Sequence, residues 1–276
     1  MNGLLRWALA PLVMVAGFGS AIAADMPVKA RPIPVALFNW TGFYVGAHGG
    51  GMWSDKDWTE RCSTFPPGTP CVAIDPGGPF RASGGPSSVI GGVQAGYNWQ
   101  AGKYVIGVEG DWAWSGKENC APITGNPNGF YQIEVSAACS RIDSFGTFAA
   151  RFGIALDRVL LYGKAGGAWV HDSYVARCTG LGNCNGFPPG TDLTTRVGND
   201  RVGWMLGVGA EYAFTANWSV KAEYNYIDLG TDTVRLQTVV FAPFINSVHD
   251  IDIRQRMSVA KVGVNYRFGG PVVAKF

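Results

Sequence analysis

The chain has 276 residues, of which 15% are charged and 13% are aromatic, and its formal net charge is +2. A charge this close to zero gives no electrostatic reason to expect a nucleic-acid partner. With three histidines in the whole chain, the sequence also offers little basis for a metal site or for acid–base catalysis, and we expect no cofactor.

Residues 1–23 are predicted to be a secretory signal peptide. Arg6 supplies the positive amino-terminal region, residues 8–18 form a short apolar core, and small residues end the segment. Cleavage is expected after Ala23 or the residue that follows it. Residues 24–40 contain three prolines without any periodicity, which predicts an extended periplasmic lead-in.

Eight runs of alternating residues follow within residues 41–268. A strand points successive side chains to opposite faces, so each run has one apolar face and one small or charged face. Each run is long enough to cross a bilayer as a tilted strand, which takes about 9–11 residues. The runs are 41–53, 88–100, 104–115, 141–156, 159–170, 203–214, 218–229 and 254–268, and a tail at 269–276 follows them.

The predicted connections alternate between short and long, as in transmembrane barrels. The fold class is therefore predicted to be all-β: an eight-stranded antiparallel transmembrane up-and-down barrel. Its short turns and both termini are expected in the periplasm, and its long loops outside the cell. The short connections are 101–103, 157–158 and 215–217, and the long ones are 54–87, 116–140, 171–200 and 230–253.

Aromatic residues stand at the ends of the apolar faces. Amphipathic rings favour the boundary between membrane and water, so these positions predict two girdles. A stacking platform for sugars or bases is the alternative interpretation. The residues concerned are Trp53, Trp99, Trp112, Trp114, Trp169, Trp204, Trp218 and Tyr266.

The opposite faces of the same strands collect charged residues into a predicted lumen. Unpaired charges in a confined interior are costly, so acids and bases are expected to pair. An eight-stranded interior is just wide enough to be filled by side chains, which favours a salt-bridge plug, with a small polar pore as the alternative. The predicted set is Glu109, Asp111, Glu211, Glu223, Arg151, Lys164, Lys221, Lys261 and Arg267.

Six cysteines fall as one pair in each of the first three long connections, and none lies in a predicted strand. A secretory leader implies an oxidising compartment, in which such thiols form disulfides. Zinc is the competing interpretation, but there is no C-x-x-C motif and no histidine cluster. The predicted pairs are Cys62 with Cys71, Cys120 with Cys139, and Cys178 with Cys184.

His171, Asp172 and Ser173 raise the hypothesis of a hydrolase or acyltransferase site near the outer rim. The three are crowded at one strand end, and adjacency in sequence is not the geometry of a catalytic triad. We therefore expect no enzyme.

Five stretches carry a resemblance: NWTGFYVGAHGGGMW, GGVQAGYNWQAGKYVIGVEGDWAWS, LLYGKAGGAWV, GVGAEYAFTANWSVKAEYNYIDLG and the closing VGVNYRF. They resemble the small outer-membrane barrels of alpha-proteobacteria, which include major surface antigens, hemin-binding proteins and porin-family proteins and are similar to the OmpA-type barrel. The resemblance implies that Tyr266 and Phe268 belong to the strand signal that the barrel-assembly machinery reads. The chain continues to Phe276, so either phenylalanine is a candidate for the terminal aromatic.

The predicted function is a structural and surface-interaction role in the outer membrane. A narrow channel for small solutes and a hemin- or ligand-binding surface protein are the alternatives. The expected partners are outer-membrane lipid and lipopolysaccharide, the barrel-assembly machinery, and host or environmental surface ligands.

Overall fold

The computed structural model describes residues 38–64, 81–124, 136–178, 188–237 and 248–268. The predicted signal peptide, most of the lead-in and the tail with Phe276 lie outside these residues. No helix among the described residues is long and apolar enough to span a membrane. The strands are β1 (Gly42–Thr64), β2 (Arg81–Ser83), β3 (Ser87–Ala101), β4 (Tyr104–Trp114), β5 (Glu118–Pro122), β6 (Ser136–Leu156), β7 (Val159–Cys178), β8 (Val197–Ala213), β9 (Trp218–Gln237) and β10 (Val248–Arg267).

Eight long strands close into a barrel, in the order β1-β3-β4-β6-β7-β8-β9-β10, and β10 pairs with β1 to complete the ring. Every pairing between neighbours is antiparallel. The closing ladder runs from Tyr44 opposite Arg267 to Thr64 opposite Val248. The predicted eight-stranded antiparallel barrel is confirmed.

Three tight connections define one end of the barrel, named here the short-turn rim; the opposite end is the long-loop rim. Gly102 adopts a φ of 60° in the turn between β3 and β4, and Asp157 adopts a φ of 51° between β6 and β7. Hairpin turns that match the twist of their strands need such positive φ values, which glycine and aspartate tolerate better than most residues. The local sequence therefore explains the close spacing of these strands.

The outward side chains form the predicted apolar band. On β8 and β9 all the outward apolar residues between Trp204 and Trp218 are exposed, whereas Glu211 between them is buried in the lumen. Five of the predicted girdle residues lie toward the long-loop rim and three toward the short-turn rim. The first group is Trp53, Trp112, Trp114, Trp169 and Trp204, and the second is Trp99, Trp218 and Tyr266.

The barrel wall continues beyond the girdle at the long-loop rim, which we name the outer girdle. The predicted bounds of the long connections were therefore wrong, and we name this continuation of the wall the extension. Residues 54–64 belong to β1, 171–178 to β7 and 230–237 to β9. The short strands β2 and β5 fill the wall where β3 and β4 end. Arg81 of β2 exchanges backbone hydrogen bonds of 2.6 Å with Thr124, which lies just past the end of β5. The antiparallel pairing of β1 with β10, of β6 with β7 and of β9 with β10 thus continues well outside the apolar band.

The extension escaped prediction because its polarity is reversed and its alternation is interrupted. Its inner face is an apolar core around Trp58, Tyr174 and Ile253, and its outer face is charged. Bulges at Ile142/Ser144 in β6 and opposite Gln255 in β9 shift the inward parity by one residue. A one-residue shift moves every later side chain to the other face, so a continuous period cannot be followed across it.

Candidate functional site

A layer of buried charges crosses the lumen within the apolar band, and Glu109 of β4 lies at its centre. Its carboxylate accepts hydrogen bonds from Lys164 Nζ at 2.6 Å and from Lys221 Nζ at 3.0 Å. The Tyr44 hydroxyl donates to the same carboxylate at 2.7 Å, and an Arg151 nitrogen lies 3.4 Å from it. Glu109 is 0% exposed, so these four groups replace the hydration that the carboxylate would have in water.

Glu223 of β9 is the second centre of this layer. Its oxygens lie 3.0 Å from Lys164 Nζ, 3.2 Å from Lys261 Nζ and 3.4 Å from Lys221 Nζ. The Tyr162 hydroxyl donates to it at 2.9 Å. Lys164 and Lys221 therefore bridge the two central carboxylates, which lie on strands at opposite sides of the ring.

The remaining two acids complete the layer. Asp111 lies 3.0 Å from Lys261 Nζ and 3.5 Å from Lys164 Nζ, and Glu211 lies 3.0 Å from an Arg151 nitrogen. Four carboxylates thus face four cationic groups, and all eight are buried. We name this set the charged layer: Glu109, Asp111, Glu211, Glu223, Arg151, Lys164, Lys221 and Lys261.

Two tyrosines of the layer were not predicted, although a signal for one was present. Tyr162 has the same parity on β7 as Lys164, which was placed inside. Inward glycines make room for both rings: a side chain at Gly96 would collide with Tyr44, and one at Gly209 would collide with Tyr162. The glycines on the lumen face therefore serve close packing across the barrel.

The carboxylates of Glu109, Asp111 and Glu223 lie within 4.8 Å of one another, a spacing compatible with a bound cation. However, Lys164 Nζ lies within 3.5 Å of all three. A lysine ammonium stands where a metal ion would neutralise the acids, so we assign no metal site.

Arg267 is buried in the lumen but lies apart from the charged layer, at the short-turn rim. It donates hydrogen bonds to the backbone carbonyls of Asn39 and Ala216. Its guanidinium also covers the Phe38 ring, 4.3 Å from the centroid. The sequence-based set groups Arg267 with the lumen charges, but parity alone does not specify height along the barrel axis.

The end of the lead-in closes the lumen at this rim. Trp40 is buried; its backbone nitrogen donates to Gln100 Oε1 at 2.7 Å, and its indole nitrogen donates to the Asp157 carbonyl at 3.1 Å. Both partners belong to the short connections predicted from the sequence or lie directly beside them. Residues 38–40 therefore plug the short-turn mouth of the barrel.

The inward side chains of β7 show how the lumen is filled along its axis. Leu160 packs beside the plug, Lys164 belongs to the charged layer, and Val170 belongs to an apolar layer above it. Asp172 lies in a second polar layer, and Tyr174 lies in the apolar core of the extension. Each of the five is at most 4% exposed, so side chains fill the lumen at each of these levels.

The second polar layer lies beyond Trp53, outside the apolar band. Lys56 Nζ donates to Asp172 Oδ1 at 2.9 Å, and the Tyr174 hydroxyl donates to the other oxygen at 3.0 Å. Burial lowers the pKa of the Lys56 ammonium, an effect that Asp172 partly opposes. Because β1 and β7 are on opposite sides of the ring, this ion pair connects the two sides of the barrel across the lumen.

The three residues of the hydrolase hypothesis do not assemble. Asp172 points inward to Lys56, whereas His171 lies outside and pairs with Asp200, with Nδ1 and Oδ1 2.6 Å apart. Ser173 donates to Asp143 at 2.7 Å. The hydroxyl is thus engaged by an acid and not by the imidazole that would activate it.

The structure joins Cys120 of β5 to Cys139 of β6 through a disulfide between directly opposed residues. Cys62 and Cys178 are also disulfide-bonded, and their predicted partners, Cys71 and Cys184, lie outside the described residues. All four described cysteines are in strands, so the expectation that none is in a strand was wrong. They fall in the extension, whose strands were predicted as loops.

Known proteins with similar sequences or structures are outer-membrane proteins. A family model for the outer membrane protein beta-barrel domain matches residues 17–268. The 31 kDa outer-membrane immunogenic protein of Brucella melitensis is 32% identical over 264 residues, covering 90% of this chain and 94% of the relative. The 25 kDa outer-membrane immunogenic protein of Brucella abortus is 27% identical, with 95% and 94% covered. The crystal structure of OprG from Pseudomonas aeruginosa matches with a TM-score of 0.52 at 14% identity, covering 83% of this chain and 98% of that one.

Proposed function

Because the chain belongs to the family of outer membrane protein beta-barrel domains, we propose that it is a non-conducting structural barrel that presents a rigid wall and loops at the cell surface. In this proposal the short-turn rim faces the periplasm and the long-loop rim faces outward. Outer-membrane lipid surrounds the apolar band, and the barrel-assembly machinery inserts the chain, with Tyr266 and Phe268 at the end of the last strand.

The observation that carries the proposal is the filled lumen. The plug at Trp40, the charged layer and the apolar layers follow one another along the axis, and their side chains are buried. A water-filled pore would instead leave lumen charges hydrated and accessible to ions. The ionic groups satisfy one another, which favours a structural role for them over ion selection.

The extension supports a surface role. Its charged outer face and apolar interior are those of a water-exposed barrel, and β1, β6, β7, β9 and β10 run continuously into it from the membrane-spanning part. Display of loops on such a wall needs no catalytic group, and we propose that the chain is not an enzyme. The hemin alternative has no support from the histidines: His48 and His249 are buried in the lumen, and His171 lies outside it.

Planar-bilayer recording tests the proposal. The refolded protein is expected to give no steady single-channel current above background, because buried ion pairs fill the lumen at the charged layer. Insertion is checked separately by the shift in electrophoretic mobility between heated and unheated samples. Steady currents that change in size when Glu109→Gln or Lys261→Met is introduced would overturn the structural role and favour the channel.

A further inference from the structure

The barrel wall opens between β3 and β4, at the level of the outer girdle. The ladder between β3 and β4 ends at Gly91 opposite Trp114. Above that pair, residues 87–90 remain paired to β1 alone, while residues 115–117 leave the sheet. The wall resumes higher up with β2 and β5, so a slit separates the two regions.

A groove of about 850 Å³ occupies this slit. Trp53, Trp114 and Val89 are among the residues that line it, and the Val89 side chain is 83% exposed. Ser87 and Lys117 lie at its outer edge. The groove is therefore apolar toward the membrane and polar toward the long-loop rim. A lipid in the outer leaflet has the same order, with its acyl chains toward the membrane interior and its polar headgroup outward.

Lys117 gives the groove a positively charged side chain. Its side chain is exposed, and no carboxylate among the described residues lies within ion-pair distance of its ammonium. A lysine at the depth of lipid headgroups attracts anionic phosphate, and indoles favour the same interfacial depth. Phosphate charge and acyl chain thus meet complementary partners within one groove.

We propose that this groove binds a phosphate-bearing lipid from the leaflet at the long-loop rim, with an acyl chain against Val89 between the two indoles and the phosphate on Lys117. The site is on the outside of the barrel and is independent of the lumen. Conduction by the wild-type protein would contradict the proposed function but would leave this inference intact.

Native mass spectrometry of the detergent-solubilised full chain tests the site, with diphosphorylated lipid A, phosphatidylglycerol and phosphatidylcholine as probes. The wild type is expected to retain one anionic lipid in preference to phosphatidylcholine. Lys117→Ala should weaken that binding about fivefold, the effect of one basic residue near an anionic surface. Val89→Trp, which fills the groove without changing charge, should weaken it as well.

Lys103→Ala is the matched control, since it removes the same charge from an exposed turn at the opposite rim. It should leave anionic-lipid binding unchanged. Equal losses for Lys117→Ala and Lys103→Ala would overturn the proposal. Displacement of the bound lipid by inorganic phosphate alone would also overturn it, because the site would then recognise a free anion. Full binding by Val89→Trp would show that no acyl chain enters the groove.

Discussion

Arg151→Met is expected to lower the free energy of unfolding by about 3–5 kcal/mol, the usual cost of leaving a buried ionic partner unpaired. The substitution removes the cation that binds Glu211 at 3.0 Å and approaches Glu109 at 3.4 Å. Methionine fills part of the volume but supplies no donor, so two carboxylates lose compensation in a water-excluded lumen. Guanidinium unfolding in lipid vesicles, followed by tryptophan fluorescence, measures the change.

Arg61→Met is the control for this prediction. Arg61 forms an ion pair with Asp252 at 3.0 Å, but on the exposed outer face of the extension. Exposed pairs contribute about 1 kcal/mol or less. If both variants lost the same small amount of stability, the charged layer would have to be hydrated, contrary to its burial in the structure.

Val208→Arg is expected to destabilise the inserted barrel by about 2–4 kcal/mol, the cost of arginine near the middle of the bilayer on a lipid-facing strand. Val208 points outward on β8, midway between Trp204 and Tyr212. The same unfolding experiment measures the change. The expected loss of stability comes from the membrane, because Val208 is exposed on the outside of the barrel. The substitution therefore buries no new group inside the protein.

Val202→Arg is the matched control on the same strand. Val202 also points outward and is exposed, but it lies beyond Trp204 toward the long-loop rim, where the penalty falls to about 0–1 kcal/mol. A cost independent of depth would contradict the assignment of the apolar band to the hydrocarbon of the membrane.

The membrane-spanning half of the fold was readable from sequence because two solvents impose a strict alternation on it. The hairpin predicted at 203–214 and 218–229 corresponds to β8 and β9 at its short-turn end, where water and lipid specify opposite faces. Outside the membrane the outer face needs only to be polar, and bulges change the parity. The alternation of apolar and polar residues therefore weakens in the part of the wall outside the membrane. Residues 171–178 of β7 consequently have the sequence pattern of a loop.

The members of the charged layer were readable, but their partners were not. Parity on single strands placed Glu109 and Lys221 inside. Their contact joins strands on opposite sides of the ring, and it depends on closure and on the stagger of all the strands between them. The same holds for Lys56 and Asp172, whose pairing needs both strands to extend past the girdle. No local pattern encodes such a distance.

Nuclear Overhauser contacts between valine methyl groups and lipid chains, measured on the unmodified protein in nanodiscs, test the central claim that alternate residues face hydrocarbon and a sealed lumen. Methyl groups of the outward Val208 and Val262 are expected to show strong contacts to acyl-chain protons. Those of the inward Val105, Val170 and Val259 should show none to lipid and none to water, because these side chains are at most 1% exposed. Lipid or water contacts at the inward valines, with none to lipid at the outward ones, would contradict the account.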